Sequence, residues 1–142
     1  MIKRILNSFR WANAAKHWRS EQYQTTISVL QKASFDNYYE AYALVMQAAC
    51  YYHTGNKIQS DYYFEKALIS LEKFDAIGKI HIQDAKYLSC FISFFKGKLD
   101  NLTLNNVDLD QVSNKLKSVF PLEMHEHWNP MDLETRILRD RD

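Results

Sequence analysis

Apolar residues recur at intervals of three and four along most of the chain, which is the spacing of one face of an α-helix. Phe64, Ala67 and Leu71 form one such stripe. Breaks rich in Gly, Asn, Asp or Pro separate the periodic stretches. The pattern predicts an all-α chain, with helices at about 2–19, 21–34, 38–53, 57–74, 79–96 and 109–119, and a short last helix at 131–139.

The predicted ends of the helices carry recognisable capping residues. Asn37, followed by Glu40 three residues later, is typical of a helix start, because both side chains reach free N–H groups of the first turn. Gly55 is expected to end the third helix in a left-handed conformation. Residues 98–108 are rich in Asn and Asp, which indicates a loop, and Asp108 or Asp110 is expected to cap the sixth helix.

Two amphipathic stretches close with the same pattern, Gln31-Lys32-Ala33 and Glu65-Lys66-Ala67, and their alanines lie 34 positions apart. A period of this length predicts a repeated helix pair. At the same period, small residues fall where two helices would cross closely, and large apolar residues follow them. The first copy supplies Ala14, Thr26, Leu30 and Ala33, and the second supplies Ala48, Ser60, Phe64 and Ala67.

On these residues, with Gly55 at the turn and Tyr51 before it, the chain resembles the tetratricopeptide repeat (TPR) family. Glu21 departs from the family pattern, since it stands where the first copy would have the turn glycine. The resemblance implies an all-α fold of about three stacked antiparallel helix pairs with a C-terminal extension. The repeats would span about 7–40 and 41–74, an irregular third pair about 79–120, and the tail 121–142.

The resemblance also implies a binding surface, because the first helix of each pair lines the concave face of such arrays. Aromatic residues dominate the positions concerned, and Trp and Tyr are frequent anchors of protein interfaces. The alternative is that these aromatic residues are ordinary core, covered by the C-terminal tail. The predicted partner-binding residues are Trp11, Trp18, Tyr42, Val45, Tyr52, Tyr87, Phe91 and Phe94.

Composition is that of one globular domain spanning residues 1–142, and three Gly and two Pro argue against a turn-rich β fold. The net charge of +1 gives no reason to expect a nucleic-acid partner. The charge is uneven, however: residues 1–20 carry five cations and no acid, whereas residues 121–142 carry six acids and three arginines. A solvated surface with no role is the simpler interpretation, and attraction between the two ends or two differently charged binding edges are alternatives. Within the binding hypothesis, the basic first helix steers acidic partners towards the protein.

Few residues suggest catalysis or metal binding. His125 and His127, with Glu123 or Asp132, form the one metal-like grouping, and exposed tail residues are the simpler interpretation. Cys50 and Cys90 are expected to be small core residues, since an apolar surrounding makes a thiol unreactive. The sequence contains no phosphate-binding or hydrolase motif. We therefore predict no enzyme activity and no cofactor.

Neither a membrane-spanning run nor a secretory leader is recognisable, so we expect a cytoplasmic protein that does not bind membranes. Together these features predict a protein–protein interaction module that binds its partner through an aromatic-lined concave face. It would serve as an adaptor, or alternatively as a dedicated small chaperone or a toxin-neutralising immunity protein. Homodimerisation through the same face is a further expectation. The alternative from another class is a small metal-binding protein or enzyme that uses His125 and His127.

Overall fold

The computed structural model describes residues 2–35, 38–95 and 106–121, and within these ranges the chain is all-helical, with no β-strand. The chain divides into two compact units, Met1–Lys79 and Ile80–Asp142. The prediction that they form one domain stays a prediction. The predicted cap at Asn37, most of the predicted loop at 98–108, and the tail with its last helix at 131–139 lie outside the described residues.

The first unit contains four helices joined by short turns. They are α1 (Ile2–Arg19), α2 (Tyr23–Lys32), α3 (Tyr38–His53) and α4 (Lys57–Ala76). Helix α1 packs on α2, α3 packs on α4, and α2 and α1 both contact α3. Only three residues connect the helices of each pair, 20–22 in the first and 54–56 in the second. The unit is therefore built from two helical hairpins in succession.

The turns of the two hairpins have the same geometry, 34 positions apart. Glu21 and Gly55 both adopt a left-handed conformation, with φ of 60° and 82°. The amide of Glu21 donates to the carbonyl of Trp18 at 3.0 Å, and the amide of Gly55 donates to that of Tyr52 at 3.1 Å. The next residue in each turn donates back to the carbonyl five positions earlier, at 2.9 Å in both cases. Glu21 therefore differs from the glycine of the family pattern, but the turn keeps the same backbone conformation and hydrogen bonds.

Small buried residues lie inside both hairpins at the positions where the sequence places them. Ala14 and Ala48 have no exposed surface, and Thr26 and Ser60 are equally buried. The Ser60 hydroxyl donates to the backbone carbonyl of Ala48 at 2.9 Å, which joins α4 directly to the backbone of α3. A side chain longer than serine or alanine would separate the two backbones. The large apolar residues Leu30 and Phe64 are buried beside these contacts.

Helix α4 has well-defined ends. The Asn56 side chain accepts a hydrogen bond from the amide of Gln59 at 3.2 Å, which caps the first turn. Gly78, with φ of 66°, ends the C-terminal side, and the amide of Lys79 donates to the carbonyl of Phe74 at 2.9 Å. Lys73 of α4 forms an exposed ion pair with Glu40 of α3 at 3.9 Å. These caps fix the length of α4 two residues beyond the predicted end.

The second unit contains α5 (Ile82–Phe95), a 3₁₀ turn (Leu109–Gln111) and α6 (Asn114–Val119). Two side chains from the first turn of α5 bind the backbone of this later segment. Gln83 accepts from the amide of Asp108 at 2.7 Å, and Asp84 accepts from the amide of Ser113 at 2.9 Å. The core of this unit contains buried apolar residues of α5 and of the later segment: Tyr87, Leu88, Phe91, Val112, Leu116 and Phe120.

The predicted helix bounds are confirmed for α1 and α3 and need correction for α2, α4, α5 and the sixth helix; α2 ends at Lys32 and not at residue 34. Helix α2 begins at Tyr23 because Glu21 is left-handed and belongs to the turn. Helix α5 begins at Ile82 because His81 accepts a hydrogen bond from the amide of Gln83 at 3.2 Å and so caps the helix. The predicted sixth helix at 109–119 is broken, since Ser113 caps a new helix by accepting from the amide of Leu116.

The left-handed turns give a stability prediction. We expect Glu21→Gly to raise the free energy of unfolding by up to about 1 kcal/mol, because a side chain at positive φ is strained and glycine is not. Gly55→Ala should lower it by about 1 kcal/mol, although an added Cβ at Gly55 would contact nothing within 4 Å. Urea unfolding measures both changes.

The matched control is Glu21→Ala, which removes the charge but keeps a Cβ at positive φ. It should therefore not reproduce the gain of Glu21→Gly. Equal gains from the alanine and glycine variants would show that the charge of Glu21, and not the backbone conformation, is the source of the effect.

The contact between α3 and α4 gives a second prediction. Ala48→Leu should destabilise the protein by about 1–3 kcal/mol, because the larger side chain overpacks a contact made through the backbone of α3. Ala12→Leu is the control, since Ala12 is an exposed position of α1, and its effect should stay within about 0.5 kcal/mol. Equal unfolding midpoints for the two variants would refute the close crossing.

Candidate partner-binding surface

The eight predicted partner-binding residues differ in exposure. Trp11, with 3% of its surface exposed, is buried, as are four others. Three remain half-exposed and so present surface to solvent. The buried residues are Trp11, Tyr42, Val45, Tyr87 and Phe91, and the half-exposed residues are Trp18, Tyr52 and Phe94.

Trp11 lies at the interface of α1 with α3. Its ring packs edge-on against Phe35 at 6.3 Å between centroids, and it contacts the rings of Tyr39 and Tyr42 at 6.0 Å each. Tyr38 adds a further ring beside Tyr42 at 5.4 Å. Aromatic pairs at these distances stabilise the fold beyond the area they bury. Trp11 and Tyr42 therefore hold the first helix against the third.

Trp18 and Tyr52 belong to a second group of rings, at the end of the unit where both tight turns lie. Tyr23 stacks on His53 with 4.5 Å between centroids and an angle of 8°. Trp18 contacts the rings of Tyr23 at 5.7 Å and His53 at 6.0 Å. Tyr52 meets His53 edge-on at 6.0 Å. We call Trp18, Tyr23, Tyr52 and His53 the aromatic cluster, and each of its members is half-exposed.

The repeat explains why these four side chains meet. Trp18 and Tyr52 are 34 positions apart, and each provides the carbonyl that accepts the amide of the left-handed turn residue. Tyr23 begins α2 and His53 ends α3, so both lie directly beside the turns. The prediction from sequence omits Tyr23 and His53 as site residues. Their position next to predicted anchors at helix ends is the signal that identifies them.

Polar side chains lie beside the aromatic cluster at the end of α1. Arg19 directly follows Trp18 in the last turn of this helix, where a cation favours the negative end of the helix dipole. His17 is tied to the turn by a hydrogen bond between its Nδ1 and Oε1 of Gln22 at 2.6 Å. The cluster therefore combines exposed aromatic surface with positive charge on one side.

A separate exposed group of rings lies across α3 and α4. Tyr51 stacks on Tyr63 at 5.4 Å, and Tyr62 meets Tyr63 edge-on at 5.3 Å. The ammonium group of Lys66 lies over both Tyr62 and Tyr63, 5.2 and 5.7 Å from the ring centroids. The Gln31 amide of α2 donates to the Tyr51 hydroxyl at 2.9 Å. These contacts tie three helices together at the surface.

In the second unit, Tyr87 and Phe91 hold the C-terminal end of α6. The Tyr87 hydroxyl donates to the backbone carbonyl of Phe120 at 2.6 Å, entirely within the core. The Phe91 ring packs against that of Phe120 at 5.0 Å and against that of Phe95 at 4.9 Å. Phe94 contacts Phe95 at 5.5 Å and keeps part of its surface exposed.

Residues with possible chemical roles are few in the ranges that the structure describes. No group of three or more His, Cys, Asp or Glu side chains is placed to hold a metal ion there. The predicted metal-like residues His125 and His127 lie outside those ranges. Cys50 and Cys90 are both buried, reduced thiols. Burial raises the pKa of the Cys50 thiol to about 12, against a smaller opposing effect of a hydrogen bond with Thr26.

Comparison with known proteins returns no match: no protein-family model, no curated protein and no solved structure is similar to the chain. Among the residues placed in the structure, no helix is both long and apolar enough to cross a membrane.

The buried thiol gives a chemical prediction. Because alkylation requires the thiolate, Cys50 should react with iodoacetamide at about pH 8 only when the protein unfolds. Peptide mapping by mass spectrometry, with and without urea, measures this directly. Rapid modification of Cys50 in protein that remains folded by circular dichroism would contradict the burial of the thiol.

The same shift has a consequence for stability. The folded pKa of Cys50 lies above its unfolded value of 9.0, so the neutral buried thiol stabilises the fold fully below that pH. This contribution is lost as the pH rises from about 9 towards 12. The stability difference between the natural protein and Cys50→Ala should therefore shrink across that range.

Proposed function

We propose that the protein is a helical-repeat binding module that holds a segment of a partner protein on the aromatic cluster Trp18, Tyr23, Tyr52 and His53. The observation that carries the proposal is the half-exposed stack of Tyr23 on His53, flanked by the two repeat-equivalent rings of Trp18 and Tyr52. The partner would insert an apolar or aromatic side chain between or against these rings.

Two kinds of support favour a repeat architecture. The tight turns of the first unit have equivalent hydrogen bonds 34 positions apart, and buried small residues lie in both hairpins at the same spacing. These features are consistent with the TPR-like stacking that the sequence suggests, in which helix pairs present one face for a partner. The irregular third pair, about 79–120, stays a prediction.

The arrangement of the rings suits a binding role for physical reasons. Rings that already contact each other lose little freedom when a partner docks, so the entropic cost of binding is small. Trp, Tyr and His each present an apolar face together with a polar atom at the ring edge, which gives both contact area and directional hydrogen bonds. Exposed pre-ordered aromatic surface is a frequent feature of binding hot spots.

The structure narrows the predicted set of residues. Five of them are buried, so a partner would reach them only if helices separated: Trp11, Tyr42, Val45, Tyr87 and Phe91. The proposal therefore assigns them to stability. Trp18 and Tyr52 remain the proposed anchors, with Phe94 as a further exposed ring in the second unit.

Within this proposal the chain acts in the cytoplasm by holding one partner, as an adaptor, a dedicated small chaperone or a toxin-neutralising immunity protein. It assigns no catalytic step to the protein, and the high pKa of the Cys50 thiol supports this assignment for that residue. Binding of a metal by His125 and His127 and homodimerisation stay predictions.

The proposal is tested by affinity capture from the native cell with the natural chain, Trp18→Ala and Tyr52→Ala. A specific partner should co-purify with the natural chain. Each variant should recover about tenfold less of that partner, or less still, as expected when a hot-spot residue is removed. Tyr62→Ala is the matched control, because Tyr62 is an exposed ring outside the cluster. The control should retain the partner.

Folding is measured separately by thermal unfolding, and Trp18→Phe is included because it keeps an aromatic ring against Tyr23 and His53. The proposal is wrong if both alanine variants stay folded and still recover the partner as the natural chain does. It is equally wrong if Tyr62→Ala reduces recovery as much as the cluster variants.

A further inference from the structure

The outer face of α1 carries apolar side chains that remain exposed among the residues that the structure describes. Phe9 is 70% exposed, Ile5 is 52% exposed and Leu6 is 43% exposed. A helix advances by about 100° per residue, so Ile5 and Phe9 lie on the same side of α1. The buried residues Trp11 and Ala14 lie on the opposite side of the helix.

Positive charge follows the apolar residues along the same helix. Lys16 is exposed and lies seven residues after Phe9, which places it on the same side and about 10 Å further along the axis. Arg10 is exposed beside Leu6. The first 20 residues contain five cations and no acid, so nothing on α1 itself neutralises this charge.

We infer that this face, formed by Ile5, Leu6, Phe9, Arg10 and Lys16, binds an acidic amphipathic helix of a partner protein. Apolar side chains of the partner would cover Ile5, Leu6 and Phe9, and its carboxylates would pair with Arg10 and Lys16. Charge complementarity selects this partner, because exposed apolar surface alone would not distinguish acidic from basic segments.

The order of residues along α1 favours a protein partner over a lipid surface. A helix that lies on a membrane has apolar residues along its whole length and cations at their flanks. On α1 the apolar contact ends at Phe9, and Ala12, Asn13 and Lys16 continue the outer face. Both tryptophans that a membrane interface would favour, Trp11 and Trp18, lie on the other side of the helix.

This surface is distinct from the aromatic cluster and goes beyond the proposed function. Trp18 follows Phe9 by nine residues, which is half a turn out of phase, so the two side chains leave α1 in opposite directions. The inference therefore gives the protein a second binding face, and substitutions separate it from the first.

The test selects a displayed library of random 18-residue peptides on the immobilised full chain. We expect enriched peptides to combine apolar residues at helical spacing with several Asp or Glu side chains one to three turns further on. Binding of a synthetic enriched peptide should weaken about tenfold with Phe9→Ser, which removes apolar contact area. It should weaken about two- to tenfold with Lys16→Glu, and this loss should diminish at high salt.

Two matched controls make the same chemical changes elsewhere. Ile69→Ser alters an exposed apolar side chain of α4, and Lys73→Glu reverses an exposed cation of that helix. Neither should change the affinity by more than about twofold. Trp18→Ala should also leave the affinity for the peptide unchanged. The test of this face of α1 is therefore independent of the test of the aromatic cluster.

Several results would overturn the inference. Enrichment of basic or uncharged peptides, or of none, would do so, as would peptides whose binding depends on Trp18 and not on Phe9 or Lys16. Vesicles of phosphatidylcholine and phosphatidylglycerol provide the competing outcome. Sedimentation of the protein with them, lost in Phe9→Ser and Lys16→Glu, would assign the face to anionic lipid instead.

Discussion

The close approach of α3 and α4 is the constraint on which the first unit depends. The Ser60 hydroxyl reaches the backbone carbonyl of Ala48, so two helix backbones are separated by little more than one short side chain. Such an approach excludes large residues from the centre of the hairpin and moves the aromatic side chains to its ends and outer faces. Tyr51 of α3 and Tyr63 of α4 accordingly stack on each other at the surface of the hairpin, where both are half-exposed.

The exclusion of large rings from the crossings also decides where aromatic side chains remain exposed. The turns leave Trp18 and Tyr52 at equivalent helix ends, and the contact of α2 with α3 adds Tyr23 and His53 between them. Two turns before Trp18 on α1, Trp11 packs against the rings of Tyr39 and Tyr42 of α3 and is buried. A tryptophan of α1 therefore packs in the core when it lies far from the hairpin end, as Trp11 does, and remains partly exposed when it lies at that end, as Trp18 does.

Much of this arrangement is predictable from sequence, because local signals determine it. The apolar period and the turn residues gave the ends of α1 and α3, and the 34-residue spacing located Ala14, Ala48, Thr26 and Ser60 in the hairpin interiors. The sequence alone could not predict which aromatic residues are buried and which are exposed. Trp11 and Trp18 are seven residues apart and so lie on the same side of α1. Trp11 is buried and Trp18 is half-exposed because the other helices place different neighbours against them. The break before α6 likewise depends on Asp84, which binds Ser113 from 29 residues away.

The aromatic cluster has a consequence for the order of folding. Helical hairpins close through contacts near in sequence and form quickly, whereas contacts between distant residues form later. Tyr23 and His53 are 30 residues apart and belong to different hairpins, so their stack exists only after the two hairpins have docked. A chain with one hairpin formed would not yet display the four rings together. A partner that recognises them would therefore distinguish the finished first unit from a chain whose hairpins have not docked, and its binding would stabilise only the former.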